Sequence, residues 1–185
     1  EVAEPIPLSE QHLDAVNRRR RIAVQFDAMS NPGGILGTDI DQWVAYRFDY
    51  MDEPGTQIDS VWWDVSALGY AVYPSQVLEP MPHSGLKQWR GQGIDLVARI
   101  VAETKQRDLE CFWSHRLSEV EVTEQGADWG GKPHPIKQAH PDWVIKTWWK
   151  QGLWNLAVPG VCELKVRILR ELAENYDFDG FQIDF

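Results

Sequence analysis

The segment VCELKVRILRELAENYDFDGFQIDF, Val161–Phe185, reads as a helix, a turn and a strand in succession. Apolar side chains in its first part recur at three- and four-residue spacing, which predicts an amphipathic helix over 161–176. These side chains are Val161, Leu164, Ile168, Leu172 and Tyr176. The dipeptide Asp179-Gly180 is typical of a helix-to-strand turn, and DGFQIDF follows it as a strand. A helix that leads into a strand is the repeating unit of parallel α/β folds.

The same unit is predicted upstream. Strands are expected at RIAVQFDA (21–28), DSVWWDVS (59–66) and LECFWSHRL (109–117), and LWNLAVPG reads as an extended stretch ending in a turn. Helices are expected at DIDQWVAYRFDYM (39–51), which has an acidic start, and at IDLVARIVAETKQRD (94–108). This alternation predicts parallel strands joined by right-handed crossovers. The strands lack a clean polar/apolar alternation, as expected when both faces of a sheet are covered.

Two α/β architectures fit this order, a doubly wound sheet and a TIM-type (β/α)8 barrel. No glycine-rich phosphate-binding motif follows any strand, and the first three strands end in polar groups followed by long connections, as in barrels. Four strands in 185 residues extrapolate to about 370 for eight, so we predict the first half of a barrel, with about four βα units. On this prediction, residues 1–185 are the N-terminal half of a single barrel cut within its fourth strand. The missing C-terminal half would be its partner, since an open half-barrel exposes apolar edges.

Composition excludes some classes of function. The chain is 43% hydrophobic and 25% charged, typical of a globular protein, and no apolar run approaches the roughly 18 residues of a membrane span. A formal net charge of -10 opposes nucleic-acid binding, which depends on Lys and Arg. His134 and His140 each precede proline without metal-ligand spacing, so we predict no metal, and no cofactor motif is present. Each of Cys111 and Cys162 is expected to be a free, buried thiol.

The compartment stays open. The opening residues EVAEPIPLSE do not have the pattern of a signal peptide, but the chain begins at Glu1. A secreted or periplasmic protein is favoured if a leader was removed.

Charged side chains stand at the predicted C-terminal ends of all four strands. They are Asp27, Asp64, Asp184 and the pair His115 and Arg116, which completes the trio Ser114-His115-Arg116 at the end of the third strand. In a barrel these ends converge on one rim, where active sites lie. Glycoside hydrolysis uses two carboxyl groups, and a nearby Arg or His keeps a carboxylate ionised. We therefore predict that Asp184 is catalytic and that the other four bind substrate. Structural hydrogen bonding or capping remains the alternative for the three aspartates.

Tryptophan is unusually frequent, with ten residues in the chain. Its ring can stack on a sugar while its N–H finds a polar partner, and it also packs in cores. Near the strand ends we predict a stacking wall for substrate, with the core as the alternative position for each residue: Trp62, Trp63, Trp113, Trp148 and Trp149.

Several stretches resemble a bacterial family of glycosyl-hydrolase-like barrel proteins. The resemblance is carried by RIAVQFDAM, YRFDYMDEPGTQIDSVWWD, CFWSHRLSEV, HPDWVIKTWWKQGLWNLAVPGV and ILRELAENYDFDGFQIDF. It implies a glycoside hydrolase acting on a poly- or oligosaccharide.

More distantly, FWSHR and GFQIDF are similar to the third and fourth strand ends of alpha-amylase-type hydrolases. That similarity implies a substrate-contacting His115 and a nucleophilic Asp184 in a retaining mechanism, although Gln182 stands where that family usually has arginine. YDFDGFQIDF also resembles the chitinase motif D-x-x-D-x-D-x-E, with Asp179 and Asp184 as the first and third acids and Gln182 at the second. The catalytic Glu of that motif would follow Phe185.

Three functions remain open at this point. The first is a retaining-type glycoside hydrolase whose general acid lies on the absent half of the barrel, which would leave the fragment alone inactive. The second is a glycan-binding barrel without catalytic activity. The third is a chitinase-like hydrolase. Asp179, just before Gly180, is otherwise expected to serve the turn.

Overall fold

A computed structural model describes residues 7–20, 22–27, 38–64, 69–118, 134–146 and 152–184. Its helices are α1 (Glu10–Asn17), α2 (Ile40–Phe48), α3 (Ser84–Gly91), α4 (Leu96–Gln106), α5 (Pro135–Ala139) and α6 (Pro159–Asn175). Its strands are β1 (Ile22–Asp27), β2 (Ile58–Asp64), β3 (Glu110–Arg116), β4 (Val144–Ile145), β5 (Leu153–Trp154) and β6 (Gly180–Asp184).

The four long strands form one sheet in the order β1-β2-β3-β6, and every neighbouring pair is parallel. This confirms the α/β prediction and the parallel order of four strands alternating with helices. The short strands β4 and β5 form a separate antiparallel pair. Sequence reasoning predicted the extended stretch at β5 but missed that pair, together with α1, α3 and α5.

Carboxylates begin two of the crossover helices. Asp39 accepts hydrogen bonds from the backbone N–H groups of Asp41 (2.8 Å) and Gln42 (3.3 Å) at the start of α2. Asp95 caps α4 in the same way and also accepts a bond from the Tyr176 hydroxyl at 2.7 Å. These bonds satisfy backbone donors that a helix leaves unpaired at its first turn. The bond between Tyr176 and Asp95 also ties the end of α6 to the start of α4.

One face of the sheet carries the hydrophobic core. Trp63 is fully buried, packs against the rings of Phe26 and Phe48, and donates its indole N–H to Thr104 Oγ1 of α4 at 3.0 Å. Trp113 is 2% exposed and makes edge contacts with rings on the same side. This is the face that the helices cover.

The opposite face is only partly covered in the described part of the chain. Gln25 is exposed there, and its amide donates to Ser114 Oγ at 3.3 Å. Trp62 and Phe112 are half-buried and stacked, with ring centroids 4.9 Å apart. Near the N-terminal end of β3, Arg20 pairs with Glu110 and lies over the Phe112 ring. In a closed barrel this face lines the interior.

Gly180 is required by the close approach of β6 to the Phe112 ring. A Cβ at this position would lie 2.5 Å from the nearest ring carbon, closer than real contacts allow. We expect Gly180→Ala to lower the free energy of unfolding by about 1–3 kcal/mol, the usual effect of overpacking, as measured by urea denaturation. Gly91→Ala is the matched control, because a methyl group added there, at the end of α3, would meet no neighbouring atom within 4 Å. Equal stability of the two variants would contradict the prediction.

The two cysteines differ in their environment. Cys111 lies in β3 and is buried, and desolvation raises the pKa of its thiol to about 12. At neutral pH this thiol therefore stays protonated and is a poor nucleophile. Cys162 is exposed, which corrects the expectation of a buried thiol there. Within the described residues, no helix is both long and apolar enough to cross a membrane.

Candidate active site at the C-terminal edge of the sheet

The parallel register places several polar residues at one edge of the sheet. Asp64 of β2 is opposite Ser114 of β3, and Ser114 is opposite Gln182 of β6. One step further along, Arg116 is opposite Asp184. Side chains two residues apart on a strand share a face, so this set shares the face that the helices leave uncovered.

An ion pair joins the second and third strands at this edge. Arg116 Nη2 lies 2.7 Å from Asp64 Oδ2, and the two side chains are 43% and 3% exposed. A carboxylate buried to this degree is costly unless it is paired, and the guanidinium supplies the pairing charge. The Arg116 side chain remains partly exposed at this edge, whereas Asp64 is buried.

The backbone on both sides of this pair is held in place. Lys165 of α6 donates from Nζ to the backbone oxygen of Arg116 at 3.2 Å. The backbone N–H of Leu117 donates to the carbonyl oxygen of Asp184 at 3.1 Å, so pairing between β3 and β6 extends to the last residue of β6. The positions of Arg116 and Asp184 are therefore set by regular strand pairing and by α6.

Removal of the Arg116 guanidinium should show how much the stability of the fold depends on its ion pair with the buried Asp64. We expect Arg116→Met to lower the free energy of unfolding by about 1–3 kcal/mol, below the range for fully buried pairs because Arg116 is half-exposed. Asp64→Asn should lower the free energy of unfolding less in the Arg116→Met protein than in the wild-type protein. A double-mutant cycle by urea denaturation measures this difference. Arg99→Met, which breaks a pair with the largely exposed Asp41 and a pair with Glu103 one turn along the same helix, should cost no more than about 1 kcal/mol. Strict additivity in the cycle would contradict the coupling.

Three residues predicted to bind substrate lie on the other face. Trp63, Trp113 and His115 are 0%, 2% and 2% exposed, and the Trp113 indole N–H is 3.4 Å from His115 Nδ1. Because a strand alternates sides, His115 points away from the face shared by Ser114 and Arg116. All three are therefore buried on the helix-covered side of the sheet, and their roles in substrate binding remain predictions.

Other predicted site residues fall outside the described part of the chain. The backbone of Asp27 is in register with Asp64, which places it at the same edge of the sheet. Its side chain, and all of Trp148 and Trp149, lie outside the described residues. Their roles remain predictions.

The structure also places Trp62 and Ser114, which the sequence analysis named at the strand ends, on this face, and it adds Gln182, which the sequence analysis did not assign to the site. Trp62, Ser114 and Gln182 share the uncovered face with Asp64, Arg116 and Asp184. Strand parity would have found Gln182, since it lies two residues before Asp184. Trp62, half-buried and stacked on Phe112, is the indole that this face offers in place of Trp63.

The remaining candidates have structural contacts. Asp179 accepts hydrogen bonds from Lys105 Nζ and from the backbone N–H of Cys111, both at 2.7 Å, at the start of β6. His134 caps α5 by accepting from the backbone N–H of Ile136 at 3.1 Å. Among the described residues, no three His, Cys, Asp or Glu side chains form a group suited to a metal ion.

Comparison with known proteins identifies relatives with this architecture. A family model described as "Glycosyl hydrolase-like 10" matches residues 49–185. None of the curated proteins compared with the chain matches it significantly.

Two solved structures resemble the described fold. Alpha-L-fucosidase isoenzyme 2 from Paenibacillus thiaminolyticus is 15% identical, with a TM-score of 0.61 over 90% of this chain and 24% of that one. An Anoxybacillus alpha-amylase is 16% identical, with a TM-score of 0.50 over 96% of this chain and 41% of that one. The chain therefore spans less than half the length of either protein. At these identities the likeness shows the fold alone, and it confirms the prediction of half a (β/α)8 barrel.

Proposed function

Since the chain belongs to the glycosyl hydrolase-like 10 family, we propose that it forms the N-terminal half of the catalytic barrel of a glycoside hydrolase. Its substrate is a poly- or oligosaccharide. The observation that supports the proposal is the register of Asp184 with Arg116 at the C-terminal edge of a parallel sheet. This is the rim at which barrel enzymes place their catalytic groups.

Asp184 is assigned the role of the nucleophile or of a carboxylate that stabilises positive charge on the sugar. Glycoside hydrolysis passes through an oxocarbenium-like transition state, and a carboxylate beside the anomeric carbon stabilises it. The second carboxyl group, the general acid, comes from outside the described residues. The C-terminal half of the barrel is its proposed source.

Arg116 and Asp64 are assigned to substrate binding. The exposed part of the guanidinium donates hydrogen bonds to sugar oxygens, and Asp64 fixes its direction through the 2.7 Å contact. Asp27, Trp148 and Trp149 are retained as proposed substrate contacts at the same rim. Trp62 is the further aromatic contact proposed on this face, two residues before Asp64.

A glycan-binding barrel without catalysis is the second candidate. It is favoured by Gln182, an uncharged amide at the position where the amylase-type pattern has arginine. An amide does not supply the positive charge that an arginine would place beside Asp184. The chitinase-like alternative gains less support, because Asp179 is engaged by Lys105 and the Cys111 backbone.

The test incubates the full-length protein with a panel of plant, bacterial and storage polysaccharides and measures both binding and newly formed reducing ends. Release of reducing ends from at least one glycan is the expected result. Binding without release would replace the hydrolase proposal with the binding one. Neither binding nor release across the panel would remove both.

A further inference from the structure

Two buried polar atoms beside Asp184 have no hydrogen-bond partner within the described residues. One is the donor Nε of Arg116, and the other is the acceptor Oε1 of Gln182. Both belong to the partly covered face that carries Asp184: Gln182 is opposite Ser114, and Arg116 follows Ser114 by two positions on the same strand. Diagonal neighbours of this kind have Cα atoms about 7–8 Å apart, within reach of two long side chains.

The backbones of both residues are held in place. The Nη2 of Arg116 lies 2.7 Å from Asp64 Oδ2 in an ion pair, and the Arg116 carbonyl accepts a bond from Lys165. Because the guanidinium is planar, this ion pair restricts the orientation of the Nε–H bond. Gln182 lies within β6, whose backbone pairs with β3 on both sides of it.

The chemistry of the two atoms restricts the group that can satisfy both. A carboxylate or phosphate accepts from Arg116 but has no proton for Gln182, and an ammonium group has the opposite limitation. A hydroxyl group both accepts and donates one hydrogen bond. Buried polar atoms in native proteins are almost always hydrogen-bonded, so an unpaired donor and acceptor on one face indicate a missing partner.

We propose that Gln182 and Arg116 form a hydroxyl-binding subsite for a saccharide beside Asp184. One sugar hydroxyl accepts from Arg116 Nε–H and donates its proton to Gln182 Oε1. This inference rests on the proposed function for the identity of the ligand. It also gives a physical reason for Gln182, because an arginine there would bring donors only and leave the hydroxyl proton unmatched.

A subsite of this kind discriminates strongly against a ligand that lacks the hydroxyl. Loss of the hydroxyl leaves both protein atoms buried and unpaired, whereas an apolar pocket merely loses contact area. For one neutral and one charged hydrogen bond we expect a loss in affinity of about 30- to 1,000-fold.

The experiment measures binding by calorimetry in full-length protein carrying Asp184→Asn, so that bound saccharide is not consumed. The probe is the oligosaccharide of the polysaccharide panel that binds most tightly, together with its monodeoxy derivatives. Gln182→Met, which keeps the length of the side chain, should weaken binding of the parent sugar about 10- to 100-fold. For one monodeoxy derivative it should have no further effect. Gln88→Met, on the exposed surface of α3, is the control and should leave affinity unchanged.

Each outcome separates the subsite from the hydrolase proposal. Unchanged affinity in Gln182→Met, or equal losses for the parent and every monodeoxy sugar, overturns the subsite even if the enzyme hydrolyses the glycan. A lower unfolding temperature with full affinity overturns it too, since it indicates a bridging water as the missing partner. If Gln182→Met weakens binding of the parent sugar but not of one monodeoxy derivative, the subsite is supported. This holds even if protein that retains Asp184 releases no reducing ends. Absence of binding to any panel saccharide overturns both proposals.

Discussion

Replacing Asp184 with asparagine in the full-length protein is expected to lower kcat on its glycan by about 10²- to 10⁴-fold or more. Asparagine keeps the shape of the side chain but removes its negative charge. If Asp184 stabilises the oxocarbenium-like transition state, the loss falls on that state while the bound substrate is little affected. We therefore expect the affinity for the intact glycan to stay within a few-fold of wild type. Reducing-end assays and calorimetry measure the two quantities.

The matched control for this change is Asp177→Asn. Asp177 lies near the start of the same strand, its side chain is 86% exposed, and it is 3.6 Å from Lys105. The Asp177→Asn substitution removes the same charge from the same segment. It therefore separates a local effect at the rim from the effect of a change in net charge. Wild-type turnover in Asp184→Asn would refute the assignment, and a matching loss in Asp177→Asn would show that the effect is not specific to the rim.

The architecture was predictable because the longest elements have unambiguous periodicity. The spacing of apolar residues in Val161–Tyr176 allows one helical face, and α6 covers Pro159–Asn175 in the structure. The acidic start predicted for α2 is confirmed, because Asp39 caps that helix, and Asp95 caps α4 in the same way, although the sequence analysis did not predict it. Short elements gave no such signal: α5 has five residues, and β4 and β5 have two each, so tertiary contacts and not local pattern determine them.

The candidate site was only partly predictable, and the reason is the pleat of the strands. Ser114, His115 and Arg116 are consecutive, and sequence reasoning treated His115 and Arg116 as neighbours on one rim. In β3 their side chains lie on opposite faces. Parity alone could have separated them, but it could not say which face the helices cover. Both faces of a parallel strand are rich in apolar residues, as the Trp62-Trp63 pair illustrates.

The carboxylate that pairs with Arg116 could not be identified from the sequence, for a different reason. Residues that meet at a barrel rim come from the ends of several strands, far apart along the chain. Asp64 and Arg116 show the effect within this half, because their ion pair joins strands separated by α3 and α4. No local spacing in the sequence signals such a contact. The register of a complete sheet is needed to find it.

The two adjacent tryptophans of β2 provide the strongest test of which face is the core. Trp63→Ala removes a fully buried indole that packs on Phe26 and Phe48 and bonds Thr104, so we expect the free energy of unfolding to fall by about 3–5 kcal/mol. Trp62→Ala removes a half-buried ring from the opposite face and should cost no more than about half as much, because less apolar area returns to water. Urea denaturation followed by circular dichroism measures both without relying on tryptophan fluorescence.

Glycan binding by the two variants should follow the reverse order. At a temperature where both are folded, we expect Trp62→Ala to weaken binding more than Trp63→Ala does. If Trp63→Ala instead keeps its stability and loses the glycan, the face assigned to the core is the one that holds the sugar, and Asp64, Arg116 and Asp184 lie on the wrong side of the sheet to act on it.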